Sequence, residues 1–154
     1  MKTYFDHEKL DAYQKALEFA TWNEDVMKRV PKSSAVYSQL DRARTSMVLN
    51  IPEGNGRFTP SDRCRFFDIA RGSGLECAAC LDLLLIKKQL SPMELEEGKG
   101  ILKDVVSLLV SLIRSNSSER LHKDVVEYRV SRVKKPIRNK GKERRLGRRL
   151  GDQD

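Results

Sequence analysis

Four stretches of this 154-residue chain repeat apolar residues at steps of three and four, and none alternates at a step of two. Steps of three and four put side chains on one face of a helix, whereas a half-buried strand alternates. The chain is therefore predicted to be all-α. The first stretch runs from about His7 to Val30, with Leu10, Tyr13, Leu17, Ala20 and Met27 on one face. Asp6 is its expected N-cap and Pro31 its stop. The second runs from about Ser34 to Ile51, with Val36, Leu40, Ala43, Met47 and Ile51 in register. Proline and two glycines in Ile51-Pro52-Glu53-Gly54-Asn55-Gly56 predict a turn after it.

The third stretch opens on Thr59-Pro60-Ser61-Asp62, a hydroxyl at the cap, proline at the first helical position and an acid at the third. Phe66, Ile69, Ala70, Ser73, Cys77, Cys80, Leu81 and Leu84 form its stripe, to about Leu85. The fourth repeats the device as Ser91-Pro92-Met93-Glu94, followed by Leu95, Gly98, Leu102, Val105, Leu109 and Leu112. A weaker helix is expected from Ser118 to about Val130. Connections of about three to eight residues favour antiparallel neighbours. The predicted fold is an antiparallel up-down-up-down four-helix bundle over residues 1–116, a short helical extension over 117–130 and a basic tail over 131–154.

Phe19, Trp22 and Val26 on the first helix, and Phe67, Gly74, Ala78 and Leu85 on the third, lie off the main stripe. Two readings stand: one wide face buried inside a single bundle, or surplus apolar surface at a subunit interface. Gly72 and Gly74 each cost a helix interior roughly 1 kcal/mol against alanine, which close approach of another helix would explain.

The apolar run Leu81–Ile86 is broken by Asp82 and falls far short of the ~20 residues of a membrane span. Met1-Lys2-Thr3-Tyr4 opens into charged sequence, so no secretory signal is expected. Three cysteines, an odd number, fit reduced thiols in the cytoplasm.

The net charge of +8 is unevenly placed. Residues 131–154 hold ten Lys/Arg against three acids, a net +7, so residues 1–130 carry only +1. The basic residues are Arg132, Lys134, Lys135, Arg138, Lys140, Lys142, Arg144, Arg145, Arg148 and Arg149, ending in a tandem Arg-Arg-Leu-Gly. Such a segment cannot bury a core and is expected to be disordered alone. It suits a polyanion, and its lack of aromatics points to phosphate contact rather than base stacking. The competing reading is a solubilising tail without a partner.

Other motifs are weaker. Cys77-x-x-Cys80 invites a metal or redox reading, yet both residues fall on the apolar stripe, Cys64 is thirteen residues away, and His7 and His122 lie far apart in sequence. A tetrahedral zinc site needs four convergent ligands, so core thiols and no metal are expected. Glu53-Gly54-Asn55-Gly56-Arg57 lacks the strand and the Gly-Lys-Ser/Thr ending of a P-loop. It reads as a helix C-cap and turn, with anion or RNA-backbone contact as the alternative. Arg42, Arg44, Arg57, Arg63 and Arg65 are candidate nucleic-acid contacts on the bundle. Asp62–Arg65 and Asp68–Arg71 spacings equally suit surface ion pairs. No nucleophile or paired-carboxylate set is seen, so neither an enzyme nor a cofactor is expected.

The block from Gln39 to Leu83 resembles the four-helix bundle proteins of the 23S rRNA intervening-sequence family. It comprises Gln-Leu-Asp-Arg-Ala, Ser46, Asn50-Ile51-Pro52-Glu53-Gly54-Asn55-Gly56-Arg57, Arg65-Phe66, Ala70-Arg71-Gly72-Ser73 and Glu76. Leu10 and Tyr13-Gln14-Lys15-Ala16 extend the match, which covers roughly residues 5–115. Pro52 stands where many members have alanine, and the basic tail lies outside the pattern. The resemblance implies a bundle that assembles into a pentameric ring. It also implies kinship with the accessory protein of diversity-generating retroelements, which partners a reverse transcriptase and nucleic acid. The expected function is thus a non-catalytic, oligomeric RNA- or DNA-binding accessory protein, with a reverse transcriptase or a ribosome-associated protein as a further partner. The alternative is a ring-shaped scaffold for protein assembly.

Overall fold

The computed structural model describes residues 2–117. Four helices follow a short 3-10 turn over Asp6–Lys9: α1 Asp11–Met27, α2 Ala35–Asn55, α3 Pro60–Ile86 and α4 Pro92–Asn116. Among the described residues there is no strand. The expected helix over 118–130 and the basic tail over 131–154 lie outside the described residues.

Two of the predicted starts form as local chemistry requires. Thr59 Oγ1 accepts the Asp62 N–H at 3.2 Å at the head of α3. At the head of α4, Ser91 Oγ accepts the Glu94 N–H at 3.3 Å while Glu94 accepts the Ser91 N–H at 2.9 Å. Each capping residue satisfies amides that the first helical turn leaves free. Asp6 does not cap α1. Glu8 reaches back instead, accepting the Tyr4 and Phe5 N–H groups at 2.6 and 3.2 Å, which closes the 3-10 turn and leaves Leu10 before α1. α1 also ends at Met27, short of the expected Val30.

The turn expected at Ile51–Gly56 is overturned, because α2 runs on through Pro52 to Asn55. Helical bonding resumes past the proline, with Gly56 N–H donating to the Pro52 carbonyl at 2.9 Å. Pro52 lacks the N–H that would have met the Val48 carbonyl, a loss tolerated because only one turn remains. Gly54 is a packing glycine: a Cβ there would lie 2.9 Å from Cδ1 and Cε1 of Phe67. The ring of Phe67 therefore lies directly against the α2 backbone.

The four helices enclose one core. α2 packs on α3, α3 on α4 and α4 on α1, while α1 and α2 touch more sparsely. Contacts fix the relative heights. Ser46 and Ser73 hydroxyls share a hydrogen bond of 2.8 Å, Lys99 pairs with Asp82 at 2.6 Å, and Arg29 pairs with Glu94 at 2.5 Å. Gly98 lets α4 approach closely, since a Cβ there would lie 2.6 Å from Trp22 Cζ3 and 2.8 Å from Leu81 Cδ1.

The α2 stripe is buried as predicted, at Val36, Leu40, Ala43, Met47 and Ile51. On α1 and α3 the inward face is wider than the main stripe. Phe19 and Phe67 are fully buried, whereas Leu17 and Ile69 are 36% and 40% exposed. Val26 and Gly74 are buried too, and Trp22 and Ala78 pack against the core. The second stripe on these helices is thus largely core, because each helix has two neighbours to cover. Gly74 is explained by Met47 Sδ, 3.3 Å from an added Cβ, while Gly72 faces open space. Asn23 is fully buried, and among the described residues neither side-chain amide atom finds a hydrogen-bond partner.

Candidate nucleic-acid interface

The last turn of α2 and the first turn of α3 bring two of the five bundle arginines, Arg57 and Arg63, to one corner. Arg57 lies over the Phe66 ring, 4.5 Å from its centroid, and pairs with Glu53 one helical turn back. The ring face attracts the guanidinium and fixes its plane. Arg63 donates to Asn55 Oδ1 at 3.3 Å, and its Nε is buried without a partner among the described residues. Arg65 is exposed. Asp62 is held by the Thr59 hydroxyl at 2.8 Å rather than by Arg65, so the expected Asp62–Arg65 pair does not form. Asp68 and Arg71 do pair, at 2.9 Å. Arg57 and Arg63 are balanced there by Glu53 and Asp62, and the free amides at the head of α3 add partial positive charge.

Arg42 and Arg44 are not part of this corner. Thirteen residues of α2 separate Arg44 from Arg57, about 20 Å at helical rise. Arg44 is largely buried and paired on both sides, with Glu24 at 2.6 Å and Asp41 at 2.7 Å. Its donors are spent on joining α1 to α2. Arg42 is exposed and its Nε donates to the Ser38 carbonyl at 3.3 Å. Lys134, Lys135, Arg138, Lys140, Lys142, Arg144, Arg145, Arg148 and Arg149 lie outside the described residues.

The structure adds Phe58, whose side chain is fully exposed between Arg57 and the Thr59 cap. A phenyl ring beside guanidinium groups offers a base a stacking surface as well as charge. Its signal in the sequence was a bulky aromatic with no apolar partner three or four residues away. The cysteines are buried: Cys64, Cys77 and Cys80 are all free thiols in the core. Burial, then the neighbouring Cys80 and Glu76, push the Cys77 thiol up to about 12, and burial raises Cys80 as well. Such thiols do not form nucleophilic thiolates near neutral pH.

Among the described residues no helix is long and apolar enough to cross a membrane. No curated protein matches the chain. A crystal structure from Bacteroides thetaiotaomicron, described as a protein of unknown function from the S23 ribosomal protein family, matches with a TM-score of 0.62 at 24% identity. The match covers 67% of this chain and 98% of that one, and at such identity it speaks for the fold. The family model for the 23S rRNA-intervening sequence protein matches residues 8–111, well over half of the sequence. That span takes in all of α1 to α3, most of α4 and the arginine corner, and the chain belongs to the 23S rRNA-intervening sequence protein family.

Proposed function

We propose that this chain is a non-catalytic, cytoplasmic accessory protein that binds the phosphate backbone of RNA or DNA as an oligomer, five subunits by the family resemblance. The helix pairings support an antiparallel up-down-up-down order for its bundle. The observation that carries the reading is the location of charge: +7 of the net +8 falls in residues 131–154. Repeated around a ring, such segments act on one polyanion with avidity. Arg57, Arg63 and Phe58 at the α2–α3 corner, with the exposed Arg65 further along α3, supply a second contact on the folded part. The family's printed name, which ties it to an intervening sequence of ribosomal RNA, favours RNA.

Fluorescence anisotropy of a labelled RNA against salt tests this. Each neutralised phosphate contributes about −0.9 to the log–log slope on duplex and about −0.7 on single strands, so the full chain is expected to give roughly −4 to −6 per subunit. Removing residues 131–154 is expected to abolish most of that slope. Equal affinity and slope after truncation would move binding to the corner arginines. No binding by either form would leave the assembly scaffold, a reading favoured by the exposed Leu75, Leu83 and Ile86 on α3.

A further inference from the structure

α3 turns a second apolar edge outward. Gly72, Leu75, Ala79, Leu83 and Ile86 follow at steps of three and four, so they form one line along the helix, and all five are exposed. A Cβ on Gly72 would meet nothing within 4 Å, so no contact inside the subunit accounts for a glycine there. On another side of the bundle the sparse contact between α1 and α2 leaves an open groove of about 590 Å³. Its apolar lining is Leu17, Ala20, Val48 and Leu49.

Edge and groove lie at the same height. Gly98 meets both Trp22 and Leu81, which sets those two residues level, and Lys99–Asp82 agrees. Lys15 lies beside Asp104, about two turns further along the same alignment. Equal helical rise then puts Leu75 level with Ala16 and Ile86 level with Met27, and the α1 wall of the groove runs from Leu17 to Lys28. A pure rotation about an axis parallel to the bundle therefore superposes edge on groove. That is the condition for a closed ring, whereas an offset would build an open filament. The groove wall carries no net charge, because Glu24 and Asp25 pair with Arg44 and Lys28, which line it too, so the docking rests on apolar contact at matched height.

The geometry points to a second copy of this chain as the occupant: the α3 edge of one subunit seats in the α1–α2 groove of the next, head to tail. A foreign partner would cover one of the two faces, while a second copy covers both with a single contact. The inference rests on the oligomeric reading above and assigns its interface.

Sedimentation at micromolar concentration tests it with Ala79→Arg on the edge and Thr21→Arg in the groove. Wild type is expected to assemble, each variant alone to run as a monomer near 17.7 kDa, and their equimolar mixture to form a dimer and stop. In that dimer the intact edge of one variant meets the intact groove of the other. A monomeric wild type defeats the oligomeric reading and this inference together. Assembly retained by both variants defeats this inference alone, and so does a mixture that stays monomeric. Glu24→Cys with Leu83→Cys in one chain adds a readout that does not depend on disruption. Oxidation is expected to give a ladder of linked subunits, and either single cysteine none. A missing ladder overturns the docking, including the case where residues 118–154 of the same chain fill the groove.

Discussion

Gly98 and Gly100 are two residues apart on α4, and replacing each with alanine is expected to move stability in opposite directions. Alanine favours a helix interior by about 1 kcal/mol over glycine at either position. At Gly100 an added Cβ meets nothing within 4 Å, so Gly100→Ala keeps that gain. At Gly98 the Cβ would sit 2.6 Å from Trp22 Cζ3 and 2.8 Å from Leu81 Cδ1, with Trp22 Cη2 nearer still. Restoring ordinary carbon separations of 3.5–4.0 Å requires the indole to retreat by about 1 Å. Trp22 leans on Phe19, ring centroids 5.7 Å apart, and Phe19 and Leu81 are fully buried, so the displacement passes into the core. Overpacking of this kind costs about 1–3 kcal/mol. Gly98→Ala should therefore be neutral to about 2 kcal/mol less stable than wild type, and Gly100→Ala about 1 kcal/mol more stable. Urea unfolding at fixed protein concentration, followed by circular dichroism and by fluorescence of the single tryptophan, reads both effects. Gly98→Ala matching Gly100→Ala in stability, with unchanged Trp22 emission, would refute the close-approach account.

Lys88 holds the left-handed residue that ends α3, with φ 58°, so Lys88→Gly is expected to stabilise the fold by about 0.5–1 kcal/mol in the same assay. The Ser91 N–H, the Arg29 guanidinium and the Ser91 hydroxyl hold the Glu94 carboxyl at about 2 against its ordinary 4.5. A depressed pKa stabilises fully above the ordinary value, and that stabilisation is lost as pH falls from 4.5 toward 2, so Glu94→Gln should flatten the acid limb of a pH–stability profile there. Arg44→Ala should lower stability by about 1 kcal/mol and leave RNA affinity unchanged, because its donors serve Glu24 and Asp41. Arg65→Ala should do the reverse, with little effect on melting and a salt slope smaller by about 0.7–0.9 per subunit. In a thiol-reagent assay at pH 7.5 the native protein should react with none of its three cysteines, and denaturant should release all three.

The arginine corner was half legible in advance. Of the candidates Arg57, Arg63 and Arg65, the folded α2–α3 junction brings the first two together beside Phe66 and Asn55, while Arg65 stays exposed on α3. Arg42 and Arg44 looked equivalent to them because charge and spacing carry no information about a partner twenty residues away. Arg44 binds Glu24 across a helix–helix contact, which no pattern within α2 announces.

The starts of α3 and α4 and the buried stripe of α2 were settled by chemistry within a few neighbouring residues. Thr59 and Ser91 cap amides two or three positions ahead, proline follows each, and apolar spacing matches the helical turn. Packing settled what those rules leave open. Pro52 and Gly54 are ordinary turn residues by propensity, yet they lie inside α2 because the Phe67 ring needs the backbone of that last turn. Phe19 went inward and Leu17 outward because Ala12 and Ala16, small residues that carry little signal of their own, are buried on the face where α1 meets its neighbours. Local hydrogen bonds and periodicity are properties of a segment, whereas burial is a property of the elements that close over it.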